Sequence, residues 1–356
     1  MDPDACSPSE GLAAASWPPP GLLDAWWLVA SSRELGKRKP CAVQVLGQAL
    51  VLFRDEQGTI CALEDRCPHR HVALSLGQVC DGQVQCAYHG WRFDGEGRCV
   101  SVPTALDGQV PAARVRRYPA HEFDGSIWVW MGNGAPSERH QPGWAFPGSP
   151  PHGTVEICTD VECGILHVMN NFVDCAHTGF VHAGLFRGTP SKQLRAVVQE
   201  TPQGVRIDNY GETDQNSLLA RLLVPKGVPI EHIDEVLLPH SVRVTYTFDQ
   251  RKIITISTCL AVSEHRTRIF TRLYVDFGVA TKAVVAGLKR MTHKILAQDK
   301  RILDNQGAQI QRYGERFAAG SVADMPTVWV SRAFTAWCNH AFPPDALRTH
   351  EAEYLL

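Results

Sequence analysis

The chain has 356 residues, 44% of them hydrophobic and 20% charged, with a formal net charge of −2. A near-neutral balance argues against nucleic acid or an anionic membrane surface as the main partner, and no run of about 18 apolar residues is present to span a bilayer. The length suits two domains of ordinary size, and the 12 cysteines, in a chain without the marks of an export signal, point to the cytoplasm, where thiols are free or bind metal.

Residues 1–22 are acidic, then rich in Ala, Ser and Pro, and read as a disordered tail. Trp26-Trp27-Leu28-Val29-Ala30 is the first strongly apolar segment and opens a small all-β domain over residues 23–135. Its clearest strands are Val43–Val45, Ala49–Phe53 and Ile127–Trp130, separated by the turn signals Asp55–Gly58, Asp81-Gly82 and Asp94–Gly97. Gly and Pro dominate a linker over residues 136–150. The remainder, 151–356, predicts an antiparallel sheet with one buried face from the alternation in Val242–Phe248, Ile253–Thr258 and Ile269–Val275. A short helical piece is expected near Asn170–His177. A long helix is expected from Thr281 to Gln311, its apolar stripe at Val284, Leu288, Met291, Ile295 and Ile302. A sheet covered by helices makes this second domain α+β.

The most specific motif lies in the first domain. Cys67-Pro68-His69 is followed after sixteen residues by Cys86-Ala87-Tyr88-His89-Gly90-Trp91. Two Cys/His pairs delivered from two loops fit a Rieske [2Fe–2S] centre, in which two thiolates hold one iron and two imidazoles the other. The alternative is a Cys₂His₂ zinc site, whose paired ligands are usually two or more residues apart; Cys67 and His69 have one residue between them. Cys61, Cys80 and Cys99 lack a matching spacing and read as buried or inert thiols.

The second motif is Asn171-Phe172-Val173-Asp174-Cys175-Ala176-His177-Thr178-Gly179-Phe180-Val181-His182. On an ideal helix His177 and His182 would point roughly 140° apart, so the helix must bulge or end between them, and Thr178-Gly179 is a reasonable place. Asp174, three residues before His177, can reach its ring, and metal-bound histidines usually give their second N–H to such a group. Two His and one carboxylate leave open positions on Fe(II) for dioxygen. The long helix offers Asp299 on the apolar stripe and Asp304 half a turn away, in water. A carboxylate on a buried stripe is costly unless paired or bound to metal, which favours Asp299 as the ligand over an arginine salt bridge. His293 points off the stripe into solvent.

These boxes resemble the Rieske non-haem iron oxygenases, whose pattern matches CPH and CxYHGW in the first domain and N-x2-D-x2-H-x4-H in the second, with Gln298-Asp299-Lys300-Arg301-Ile302-Leu303 similar to the distant Asp segment. The resemblance implies a [2Fe–2S] cluster on Cys67, His69, Cys86 and His89, and a mononuclear Fe(II) on His177, His182 and Asp299, with Asn171 supporting the site. It also implies a helix-grip catalytic domain, an antiparallel sheet with a long C-terminal helix. A ring of subunits, a homotrimer most often, would let Asp174 bridge a cluster histidine of one chain to an iron-bound histidine of the next. No GxGxxG fingerprint follows a strand, so a separate NAD(P)H-dependent reductase or ferredoxin is expected to supply electrons. The length resembles the homo-oligomeric vanillate and dicamba O-demethylase branch. The expected reaction is hydroxylation or O- or N-demethylation of a small apolar or aromatic molecule bound near residues 209–239, with Leu218, Leu219, Leu222, Leu223 and Val224 lining the pocket or packing the core. Cis-dihydroxylation and desaturation use the same machinery. A Rieske electron carrier and a zinc-stabilised binding module are the rival classes.

Overall fold

The structure is a computed structural model and describes residues 17–106, 108–136, 153–183, 193–211, 228–277, 281–315 and 320–355. Contacts divide these into two compact units: 23–136, and 17–22 together with the residues from 153 onward.

The first unit is all β. Strands β1 (Trp26–Ser31), β10 (Ala120–Phe123) and β11 (Ser126–Trp130) form one antiparallel sheet in the order β1-β11-β10. A second contains β2 (Cys41–Val45), β3 (Gln48–Arg54), β4 (Ile60–Glu64) and β9 (Arg117–Tyr118). The third, β5 (Gln78–Cys80), β6 (Gln83–Gln85), β7 (Arg92–Phe93) and β8 (Cys99–Ser101), carries one of the metal loops. All three strands expected from the sequence are present, and Asp81-Gly82 turns β5 into β6 with φ of 51° and 66°. Both residues are left-handed, as the two-residue turn matching strand twist requires. Val51, Phe53, Leu63, Leu74, Val84 and Phe93 are buried together with Cys67 and Cys86, so the thiols belong to the core.

The second unit holds an eight-stranded antiparallel sheet. Its strands are β12 (Thr154–Val161), β13 (Gln193–Thr201), β14 (Gly204–Tyr210), β15 (Glu231–Leu237), β16 (Ser241–Phe248), β17 (Arg251–Ser263), β18 (Arg266–Asp276) and β19 (Thr349–Leu355). Their spatial order is β12-β18-β17-β16-β15-β14-β13-β19. In β18 the alternation is visible in the burial of Thr267, Ile269, Thr271, Leu273 and Val275. The long helix Thr281–Tyr313 packs against β12 and β18, where Leu288 and Leu296 meet Val155, Ile157, Leu273 and Val275.

Several expectations are corrected. The tail ends sooner: α1 (Pro20–Leu23) buries Leu22 completely, and Trp337 Nε1 donates to Gly21 O at 2.9 Å. Residues 1–16 and most of the expected linker lie outside the described residues. The buried stripe of the long helix runs through Leu288, Leu296, Asp299 and Leu303, whereas Ile302 is 40% exposed. The expected stripe holds at Val284, Leu288 and Met291, which pack on the sheet core, and drifts one residue toward the C-terminal end, where the apolar pairs Ile295-Leu296 and Ile302-Leu303 leave the 3.6-residue period ambiguous. Residues 231–237, within the expected pocket region, form β15, while the leucines at 218, 219, 222 and 223 and Val224 lie outside the described residues.

Candidate metal centres

The two Cys/His loops of the first unit share one backbone design. Cys67 N donates to Val72 O at 2.8 Å and His71 N to Cys67 O at 2.9 Å; Cys86 N donates to Trp91 O at 2.8 Å and Gly90 N to Cys86 O at 3.1 Å. The fifth residue of each loop is left-handed, His71 with φ 62° and Gly90 with φ 74°. Glycine adopts that conformation freely, whereas a histidine there carries a small backbone cost. The fold thus places Cys67 and Cys86 inside, 2% and 3% exposed, and leaves His69 and His89 half-buried with ring centroids 4.6 Å apart. The His69 ring stacks on Trp91 at 4.6 Å and 7°.

The backbone N–H groups of His69 and Arg70 donate to the Cys67 sulfur. Burial and the neighbouring Cys86 thiol nevertheless outweigh these amides and push the Cys67 pKa up. Two buried sulfurs on the inside and two imidazoles at the rim fit a diiron pair with unlike ends. The remaining thiols behave as inert groups: burial raises Cys61 to about 11, burial raises Cys99, and Cys80 Sγ sits 3.3 Å from Gln85 Oε1.

The second site is built where a helix stops. Helix α2 (Ile165–Val173) buries Ile165, Val168, Met169 and Val173 and ends at Asp174, whose φ and ψ are −81° and 96°. The helix therefore ends before His177, earlier than expected. Asp174 Oδ1 accepts from Ala176 N at 2.9 Å and His177 N at 3.3 Å, stabilising the reversal. A single turn, α3 (Thr178–Val181), follows, with His177 at its start and His182 at its end. This stop and restart brings both imidazoles to one side.

There they meet Asp299 of the long helix. His177 Nε2 and His182 Nε2 are 3.3 Å apart, and Asp299 Oδ1 is 3.6 Å from the first and 3.0 Å from the second. Metal–donor bonds of about 2.1 Å at right angles place adjacent donors about 3 Å apart, close to these three edges. Within the described residues, Asp299 Oδ1 and His177 Nδ1 are buried without a hydrogen-bond partner. Such orphaned polar atoms in a 7%-exposed site are expensive unless something binds them. The residues fit a divalent metal ion with open coordination positions.

Electrostatics agree. Burial alone would raise the Asp299 pKa, but the neighbouring His177 and His182 imidazoles outweigh it and hold the carboxyl below its ordinary value. Burial opposes a charge on His182, yet Asp299 and Gln298 outweigh it and raise its pKa. The pocket favours a net positive occupant next to an ionised carboxylate.

Gln298, to which the sequence assigns no separate role within its segment, completes the arrangement. Its Oε1 lies 3.0 Å from His182 Nδ1, so an Nδ1–H donor leaves the Nε2 lone pair facing the other ligands. His177 Nδ1 has no such support: Asp174 Oδ2 stands 3.8 Å away, beyond hydrogen-bond reach. Asn171 is half-buried on α2, and it is the adjacent Asn170 whose amide is engaged, donating to Ser331 Oγ at 2.9 Å. Asp304 is partly exposed, close to the expectation, but it is also paired. It accepts from Glu162 N at 2.8 Å and pairs with Lys300 at 2.8 Å, tying the helix to the end of β12. His293 is exposed, as expected.

Comparison with known proteins agrees with both sites. Residues 25–119 match the Rieske [2Fe-2S] domain, which sets aside the zinc alternative, and residues 161–337 match the vanillate O-demethylase oxygenase C-terminal domain. Chlorophyllide a oxygenase of Chlamydomonas reinhardtii is 38% identical over 188 residues, 51% of this chain and 28% of that protein. The oxygenase component of dicamba O-demethylase from Stenotrophomonas maltophilia is 35% identical over 162 residues, 45% of this chain and 48% of that protein. The matched stretches thus span less than two thirds of these relatives' own length. The crystal structure of dicamba monooxygenase bound to dicamba superposes with a TM-score of 0.76 at 26% identity, covering 90% of this chain and 98% of that one. With a cluster-binding domain first and a helix-grip domain carrying the His177, His182 and Asp299 donors second, the chain belongs to the Rieske non-haem iron oxygenases.

Proposed function

We propose that the chain is a terminal oxygenase that hydroxylates, or O- or N-demethylates, a small apolar or aromatic molecule. The observation that carries this reading is the convergence of His177 Nε2, His182 Nε2 and Asp299 Oδ1 with the last left unpaired in a buried site. When bound, a ferrous ion on two His and one carboxylate supplies dioxygen activation, fed by single electrons from the [2Fe–2S] cluster.

The chain's own residues prepare that chemistry. Gln298 orients His182 and fixes its tautomer, and Asp299 contributes the negative charge that holds a cation. Phe172, on the helix that precedes the donor turn, packs on the apolar core shared by the sheet and the long helix and ties that helix to it. Asp174 has Oδ1 committed to its own turn and Oδ2 turned toward His177. That division suits a bridge to a cluster histidine of a neighbouring subunit, with Asn171 supporting the same turn. The assembly we propose is a homotrimer, served by a separate NAD(P)H-dependent reductase or ferredoxin in a reducing compartment such as the cytoplasm. No helix among the described residues is long and apolar enough to cross a membrane.

The test is turnover of the metallated protein with a surrogate reductase, NADH and isotopically labelled dioxygen over a panel of methoxy- and methyl-substituted aromatics. Label entering a product, or the formaldehyde released by demethylation, is the expected result. NADH oxidation with no substrate-dependent product across the panel would count against the reading.

A further inference from the structure

A second cluster of polar side chains lies in the catalytic unit, away from the three iron donors. His232 and Asp234 on β15, Asn209 on β14, Tyr354 on β19 and Cys175 from the turn after α2 meet over the sheet. All five are buried. Register explains the gathering. Ala352, Ala196, Asn209, His232 and Tyr246 form one row across β19, β13, β14, β15 and β16. The two alanines keep the sheet surface low, so the Tyr354 ring can reach across toward β14 and β15.

Asp234 is fully engaged: Oδ1 lies 3.0 Å from His232 Nε2 and Oδ2 accepts from Asn209 Nδ2 at 2.9 Å. Two atoms are left over. Among the described residues, Asn209 Oδ1 and the Tyr354 hydroxyl are buried with no hydrogen-bond partner, in residues only 3% and 6% exposed. Burial, followed by the charges of Cys175 and Asp234, pushes the Tyr354 pKa up, which keeps the hydroxyl protonated as a donor.

A thiol, an imidazole and a carboxylate with donor atoms within 4.8 Å of one another could also describe a metal site. Their pairing argues otherwise. At the iron site the imidazole nitrogens face each other and the carboxylate oxygen is orphaned. Here the carboxylate and an imidazole nitrogen already satisfy one another, and the groups still wanting a partner are an amide oxygen and a phenol, which suit an organic ligand.

We propose that Asn209 and Tyr354, held by the His232–Asp234 pair, form a polar anchor for the substrate and select molecules that present a hydroxyl or N–H donor rather than a carboxylate. A donor satisfies Asn209 Oδ1 and can accept from the Tyr354 hydroxyl. A carboxylate has no hydrogen for Asn209 Oδ1 and would lie beside the Asp234 carboxylate. Cys175, two residues before His177, belongs to the turn that carries an iron donor, so a molecule anchored here lies beside that turn. The assignment deepens the oxygenase reading and rests on it for the identity of the pocket.

The experiment is anaerobic equilibrium dialysis of the full-length metallated protein against 2-naphthol, 2-methylnaphthalene and 2-naphthoate, three probes with one ring system. It reads binding without turnover, so its failure leaves the oxygenase reading standing, and failed turnover leaves the binding result interpretable. The expected order has 2-naphthol about tenfold tighter than 2-methylnaphthalene, with 2-naphthoate weakest. Tyr354→Phe should bring the first two within about twofold without lowering the melting temperature, since it removes a hydroxyl that the free protein leaves unpaired. Asn209→Leu should do the same to binding. Equal binding or no binding of the three probes, a preference for 2-naphthoate, or a donor preference that survives in Tyr354→Phe would overturn the assignment. So would an additional metal ion that is lost in Cys175→Ala.

Discussion

His182 Nδ1 lies 3.0 Å from Gln298 Oε1, and Gln298 immediately precedes Asp299 on the long helix. Two successive residues of one helix therefore supply one candidate metal donor and hold another. Gln298→Ala removes the acceptor and frees the imidazole to rotate. Outer hydrogen-bond partners of metal-bound histidines are worth about 10–100-fold in affinity, so mononuclear iron should bind weaker by that order while the cluster spectrum is unchanged. Iron titration of the cluster-loaded protein checks this; equal affinity would remove Gln298 from the site.

Asp299→Ala should empty the mononuclear site without disturbing the cluster domain, because a facial triad that loses its only carboxylate loses both a bond and the charge that balances the cation. Elemental analysis reads the occupancy. Normal occupancy and activity in this variant would move the ligand elsewhere on the helix, and Asp304 is already committed to Glu162 and Lys300.

Asp174→Asn separates two roles of one side chain. The amide oxygen can still accept from Ala176 N, so the turn should hold, while the negative charge facing His177 Nδ1 is lost. Both metals should remain, and single-turnover electron transfer should slow by on the order of tenfold. An unchanged single-turnover rate would dismiss the bridge.

Gly307 faces the end of β12 so closely that a β-carbon would run into the backbone carbonyl of Glu162. Alanine gains about 1 kcal/mol of helix propensity over glycine, but overpacking costs about 1–3 kcal/mol. Gly307→Ala should lower the denaturant midpoint, and a rise would mean that the helix sits farther from the sheet.

Asp160 pairs with Arg268 across β12 and β18 at 2.8 and 3.0 Å, and that guanidinium holds its carboxyl below the ordinary 3.8. A depressed folded value stabilises the protein above the unfolded pKa, and that contribution disappears as pH falls through the folded one. The side chain is 34% exposed, so after discounting for solvent screening Asp160→Asn should cost about 0.5–1 kcal/mol at neutral pH. The gap between variant and wild type should close below about pH 4. A gap independent of pH would assign the loss to packing instead of charge.

The metal chemistry was legible because it depends on rare residue types at fixed spacing. Cys67, His69, Cys86 and His89 could be read from two loops, and His177, His182 and Asp299 from two helical segments, before any coordinates. The alternating strands β16 to β18 were legible for the same reason: one buried face imposes a period of two. What the sequence hid was set by partners far away in the chain. Gln298 is an ordinary glutamine until the fold brings His182 to it. The edge strand β19 declares itself only by pairing with β13, and its alternation of acidic and apolar residues reads equally well as an exposed tail. The stop of α2 at Asp174 depends on a side chain capturing its own backbone, a local competition that periodicity does not register. Asn209 and Asp234 carry no spacing signal of their own, and the strand register buries them together.

The central claim is that one chain holds a diiron cluster and a separate single iron. Iron quantification with electron paramagnetic resonance, on wild type and on a His177→Ala, Asp299→Ala double variant, tests it most directly. The account predicts about three irons per chain in wild type and about two in the variant, with the reduced-cluster signal unchanged. Zinc in place of iron, or a cluster signal that vanishes together with the third iron, would contradict it.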